Sequence, residues 1–156
     1  MDTNKKEIII NRSHSRSKAY GIAPERKFPK HILQGVELNQ HMERNKELMD
    51  VARPIMEQLM ETIEPTGFIV VLTDNEGCIL SVKGGRQTME AARDLNMVEG
   101  AYMSEQSIGT NAMGTAISED AAVQITATEH FISVYHQWTC SAAPIHYNGT
   151  TIGTLN

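Results

Sequence analysis

The chain has 156 residues, 40% of them hydrophobic, which is one domain's worth of sequence with enough apolar material for a core. Its 14 Lys and Arg against 19 Asp and Glu give a formal net charge of -5, which argues against a nucleic-acid-binding face on this chain. There is no uninterrupted apolar run of membrane-spanning length, the N-terminus lacks the apolar segment of a signal peptide, and two cysteines are too few for a disulfide framework, so a cytoplasmic protein is expected.

The charge is uneven. Residues 1–53 hold 11 Lys/Arg against 7 Asp/Glu, and residues 54–156 hold 3 against 12. A basic N-terminal part and an acidic body are expected to do different jobs. Residues 1–35 lack a sustained hydrophobic period, and Pro24 and Pro29 interrupt them. They read as a polar arm with one short helix around residues 11–20.

From about Phe28 to Glu64 the pattern is helical, and residues 36–64 are assigned to one long amphipathic helix. Leu38, Met42, Asn45, Met49, Ala52, Met56, Leu59 and Ile63 follow steps of four and three, a heptad seam with one polar position. Leu48, Ile55 and Met60 add a second apolar face. The seam fits a homodimer through this helix; the alternative is an amphipathic helix buried on its own domain. Pro54 removes a hydrogen bond and is expected to kink or split the helix near Arg53.

The period then changes. Gly67 to Thr73 reads as a buried strand, Asp74-Asn-Glu-Gly77 as a turn and Cys78 to Val82 as the returning strand of a hairpin. A helix capped by Thr88 runs to Leu95, and Gly100 to Met103 is extended. Ser107 to Ile117, rich in small residues, reads as one tightly packed helix. Ala122 to Ala127 and Thr139 to His146 read as strands, and Asn148-Gly149 is a strong hairpin signal that returns the chain through Thr150 to Leu155. Five strands with helices between them imply an α+β fold with an antiparallel sheet. The chain ends at Asn156 within such a strand, so a piece of a longer polypeptide is expected.

Four phrases carry a resemblance. They are Arg12-Ser-His-Ser-Arg-Ser-Lys-Ala-Tyr-Gly21, Thr66-Gly-Phe with Leu72-Thr-Asp-Asn-Glu-Gly77, Ser104-Glu-Gln-Ser-Ile-Gly-Thr-Asn-Ala-Met-Gly-Thr115, and Glu129-His-Phe with His136-Gln-Trp-Thr-Cys-Ser-Ala-Ala-Pro-Ile145. Together they resemble the N-terminal sensory region of sigma-54-dependent transcriptional activators of the acetoin and dihydroxyacetone regulator type. The resemblance implies a GAF-like body over residues 65–156, cut before its C-terminal helix, that controls a downstream AAA+ ATPase. It implies no enzyme activity and no cofactor. Its input would be a small-molecule effector or a metabolic partner protein, and DNA and RNA polymerase would be reached only through other domains. This sequence carries no GxxxxGK[ST] phosphate loop.

The residues nominated for the sensing site are Glu105, Thr110, Asn111, Glu129, His130, Phe131, His136, Trp138 and Cys140. Phe131, Trp138 and Ile145 can supply apolar walls, and the polar members can point inward. Other readings stay open. His130, His136 and Cys140 have metal-ligand chemistry, though none of the tight spacings of known sites. Cys140 with either histidine has the makings of a thiolate pair. Alternatively, Cys140 is a small buried thiol, Trp138 a core plug and the histidines structural. A last possibility is a filled, ligandless protein-interaction module. Arg12, His14 and Arg16 are either solvated or docked on acidic groups of the body such as Glu105 or Glu129.

Overall fold

Strand β1 (Ile69–Asp74) is buried along nearly its whole length because helices cover both faces of its sheet. Val70 and Leu72 point to one helical layer and Val71 to the other, as the two-residue period of a strand requires. The structure, a computed structural model, describes residues 3–63 and 67–156. The expected end of the long helix at Glu64, the start of the body at Pro65, and Thr66 of the second phrase lie outside the described residues.

The fold is α+β, with a five-stranded antiparallel sheet of order β2-β1-β5-β4-β3. β2 is Ile79–Gly84, β3 Val123–Thr126, β4 Thr139–Tyr147 and β5 Thr150–Leu155. Each expected strand forms. Asn148 and Gly149 both have positive φ, 49° and 76°, the geometry that a two-residue hairpin turn demands.

The N-terminal segment is not a free arm. Helix α1 spans Thr3–Ala19, longer than the expected 11–20, and it buries Ile9, Ser13 and Ser17. These positions are four apart and lie on one face. Two of the three are serines, so the face carries little hydrophobic signal. After it the chain is irregular to Gln34, where a helix had been expected from Phe28, and an isolated bridge pairs Ile32 with Ala101.

The long helix is two helices, α2 (Gly35–Arg44) and α3 (Lys46–Ile63). The break falls at Asn45 and not at Pro54, which α3 accommodates in its interior. At Asn45 the backbone leaves helical geometry, and its side-chain amide donates to the His41 carbonyl at 3.0 Å, competing with the helical ladder. On either side of Pro54, Ala52 and Met56 are anchored on the sheet, which holds the helix through the missing bond. Most of the heptad seam therefore faces its own sheet. Met42, Met49, Ala52, Met56 and Ile63 pack with Val70, Leu72 and Leu80.

On the opposite face lie α1, α4 (Arg86–Asp94), α5 (Glu105–Ile108) and α6 (Ala112–Glu119). α4 is capped by Gly85 and not by Thr88. The expected single helix from Ser107 to Ile117 is interrupted. Gly109 sits at φ +75°, where a Cβ would also strike Phe131 at 2.8 Å, so the chain turns out of α5 there. α6 then restarts with Asn111 as its N-cap, accepting from the Gly114 N–H at 3.1 Å.

Met56, 1% exposed at the centre of the α3–sheet core, is the side chain on which that layer depends. Met56→Ala is expected to lower unfolding stability by about 2–5 kcal/mol, read from urea denaturation.

Candidate functional site

The basic phrase of α1 and the small-residue phrase of α5–α6 meet. Glu105 is 3% exposed, a carboxylate that cannot stay ionised there without partners. It receives four donors. Arg16 holds it bidentately, Nε to Oε2 at 2.6 Å and Nη2 to Oε1 at 3.0 Å. Ser13 Oγ donates to Oε1 at 2.5 Å, and Thr115 Oγ1 donates to the same oxygen at 3.0 Å. Ser13 also lies 2.7 Å from Thr110 Oγ1, and Ser17 Oγ lies 3.2 Å from it. Arg16 Nη1 reaches Glu119 at 2.8 Å, and Arg12 pairs with Glu119 as well. The bonds to Glu105, partly opposed by desolvation, hold the Arg16 guanidinium more firmly cationic than usual.

A second contact lies along the same helix. His14 Nε2 hydrogen-bonds the Glu129 carbonyl at 2.8 Å, and its ring meets Phe131 edge-on at 5.5 Å. Lys6 pairs with the Glu129 carboxylate at 2.8 Å, which also accepts the Thr126 N–H at 2.7 Å. The reading that docks the α1 cations on acidic groups of the body thus describes the geometry. Glu119, Ser13, Ser17 and Thr115 complete it and were not nominated. Their signal was the four-residue spacing of Ser13 and Ser17, matched by Arg12 and Arg16.

The nominated residues fall into separate places. Glu105 and Thr110 lie under α1. Asn111 caps α6 and donates to the Met103 and Gly109 carbonyls at 2.7 and 2.9 Å. Glu129 meets Lys6 and His14 of α1, and Phe131 meets His14. His130 is buried and hydrogen-bonds the Ala127 carbonyl through Nδ1 at 3.1 Å, and His136 Nε2 bonds the His130 carbonyl at 3.1 Å. Trp138 and Cys140 line a different feature, a hollow of about 770 Å³ with Leu59, Ile63, Phe68 and Leu155.

The chemistry of these groups is quiet. Burial pushes the Cys140 thiol up to about 11, which leaves almost no thiolate near neutrality. His130, His136 and Cys140 do not converge as metal donors. Among the described residues the group that does is His41, Asp74 and Cys78, with all donor atoms within 4.8 Å of one another. Sequence reasoning missed it, because His41 and Asp74 are 33 residues apart and no motif joins them.

A family model described as the MimR N-terminal domain matches residues 9–153. The chain is 40% identical over 149 residues to the signal-transduction and transcriptional-control protein of Clostridium beijerinckii, covering 95% of this chain and 24% of that one. It is 36% identical over 131 residues to the acetoin dehydrogenase operon transcriptional activator AcoR of Bacillus subtilis (strain 168), covering 83% and 22%. The crystal structure of the E. coli DhaR(N)–DhaL complex contains a chain that matches with a TM-score of 0.88 at 28% identity, over 94% of this chain and 50% of that one. The chain thus spans about a quarter of the length of these two curated relatives.

Two outcomes are expected. Glu105→Gln removes the charge that Arg16 and Ser13 hold and should lower unfolding stability by about 1.5–3 kcal/mol in urea titrations, whereas the more exposed Glu129→Gln should cost under about 1 kcal/mol. Burial holds His130 neutral to lower pH than its ordinary value of 6.5. The unfolded chain therefore binds the extra proton first, and stability should fall as pH drops below about 6.5. Urea midpoints at about pH 7.5 and 5.5 measure this fall, and His130→Gln should shrink it.

Proposed function

We propose, from the premise that the chain belongs to the MimR N-terminal domain family, that it is the signal-receiving domain of a sigma-54-dependent transcriptional activator, with a GAF-like body that takes its signal by binding a partner protein. Its relatives are named as transcriptional regulators. The proposal extends that role to this chain, with control of an AAA+ ATPase elsewhere in the same polypeptide. The observation that carries the partner reading is the saturation of the nominated polar groups. Glu105, Thr110, Asn111, His130 and His136 are each hydrogen-bonded within the chain. A small polar effector would have to displace these bonds, those from α1 at Glu105 and Thr110 and those to backbone carbonyls at Asn111, His130 and His136. The match to DhaR(N), solved in complex with DhaL, supports the same reading.

A homodimer through the long-helix region belongs to the proposal in altered form. Most of the expected seam is spent on the sheet. Val51, Ile55 and Leu59 remain 65%, 50% and 39% exposed, four residues apart on the outer face of α3. Such a stripe on α3 suits a second helix. A metabolite reading rests on one observation, the hollow beside Trp138 and Cys140, which is large enough for a small organic effector.

Calorimetry with candidate metabolic enzymes of the regulated pathway, run beside a thermal-shift panel of small carbonyls, diols and hydroxy acids, separates the inputs. The partner reading expects saturable heat with a protein and no shift with the panel. A saturable thermal shift with a metabolite, abolished in Trp138→Ala, would replace it. Light scattering should give a dimer mass that falls to the monomer mass in Ile55→Glu.

A further inference from the structure

We propose that His41, Asp74 and Cys78 form a binding site for one divalent transition-metal ion, with zinc the ion that this donor set suits best. The three residues come from different elements: α2, the end of β1, and the residue before β2. All three are buried, and their donor atoms lie within 4.8 Å of one another. Around a tetrahedral zinc with bonds of about 2.0–2.3 Å, donor atoms sit roughly 3.3–3.8 Å apart, so rotamer adjustments of about 1 Å suffice to close the site.

The carboxylate is already oriented for this. Asp74 Oδ1 accepts the N–H groups of Glu76 and Cys78, both at 2.9 Å, and so holds the tight turn. That turn needs Gly77, where φ is +81° and a Cβ would meet the Ser104 nitrogen at 2.8 Å. Oδ2 is thereby left for His41 Nε2, 2.6 Å away. A hydrogen-bonded His–Asp pair accounts for two of the three groups. It does not account for the thiol, whose one hydrogen bond among the described residues is a long one of 3.9 Å to the Ile79 carbonyl.

Charge and access fit as well. A carboxylate and a thiolate together neutralise a divalent cation, which offsets the penalty of burying it. On binding, the ion displaces the proton between His41 and Asp74 from Nε2 and the thiol proton of Cys78. The imidazole proton then sits on Nδ1, which faces the Nη2 of Arg44 at 3.3 Å. Arg44 is exposed and must swing away, since two donors cannot face each other. The fourth position falls to water, and a groove lined by Asn75, Glu76, Tyr102 and Ser104 adjoins the turn between Asp74 and Cys78. A bound ion would pin α2 to the β1–β2 turn.

The test is a titration of the chain, first dialysed against chelator, with Co²⁺ and then Zn²⁺. Expected are one equivalent of Co²⁺, a thiolate-to-cobalt charge-transfer band in the near ultraviolet, tetrahedral visible bands, and displacement by zinc. Cys78→Ser should abolish the charge-transfer band, Cys140→Ser should keep it, and His41→Gln should weaken binding at least about tenfold. Arg44→Ala should bind as well as the parent chain or better. If the parent chain shows no charge-transfer band at saturating Co²⁺, the site does not exist. A band lost in Cys140→Ser and kept in Cys78→Ser overturns it equally. Should Cys78→Ser fail to fold, the parent and Cys140→Ser spectra decide the matter alone, because the chain has two cysteines.

Discussion

Everything on the α5–α6 side of the sheet is arranged around one buried carboxylate, Glu105. An unpaired carboxylate in that position would be protonated or would prevent the fold from closing. Its four donors come from α1 and α6, and Arg16, which supplies two of them, also reaches Glu119. Removing one weakens the compensation of a buried charge that the others share, so the cluster behaves as a unit. It also explains why α1 needs so little hydrophobic surface. Ile9 joins the core and Ile10 packs against it, but the middle of the helix is held by serines and arginines. Docking by polar complementarity is more specific in register than apolar packing, because a one-residue slip would misalign every hydrogen bond.

The same geometry fixes the close approach of α6. A Cβ at Gly114 would lie 2.7 Å from both the Glu105 nitrogen and the Met103 carbonyl oxygen, so glycine lets the helix come near enough for Thr115 to reach the carboxylate. Asn111 completes the joint by bonding both neighbouring strands of chain and the first turn of α6. The small-residue phrase is therefore a packing device that seats α1.

What was legible in the sequence follows from how local each signal is. The strands and the Asn148-Gly149 turn are set by alternation and by two positive-φ residues, and each appears where its pattern stands. The α3 pattern was legible as an amphipathic helix, but periodicity cannot say whether its apolar face meets a sheet or another chain. Ala52 and Met56 went to the sheet. Pro54 was a louder signal than Asn45, yet tertiary anchoring outweighed it. The length of α1 was illegible because Ser13 and Ser17 bury as polar groups, and only distant Glu105 and Thr110 make that possible. Of the nominated residues, Glu105, Thr110, Glu129 and Phe131 share α1 as their neighbour, whereas Trp138 and Cys140, expected to wall the same pocket, line the hollow beside α3. His41 and Asp74 have no local signature at all.

Helix α1 is an integral part of the domain, held by Glu105, and the polar residues beneath it are spent on that contact. Amide hydrogen exchange along residues 3–19 tests this most directly. Amides from Ile9 to Ser17 are expected to be protected to the same degree as those of the central strand β1, and to exchange only when the whole domain opens. Exchange at the rate of a free helix or coil, with β1 still protected, would contradict it. Glu105, Thr110 and Thr115 would then be exposed to solvent for much of the time and available to a ligand.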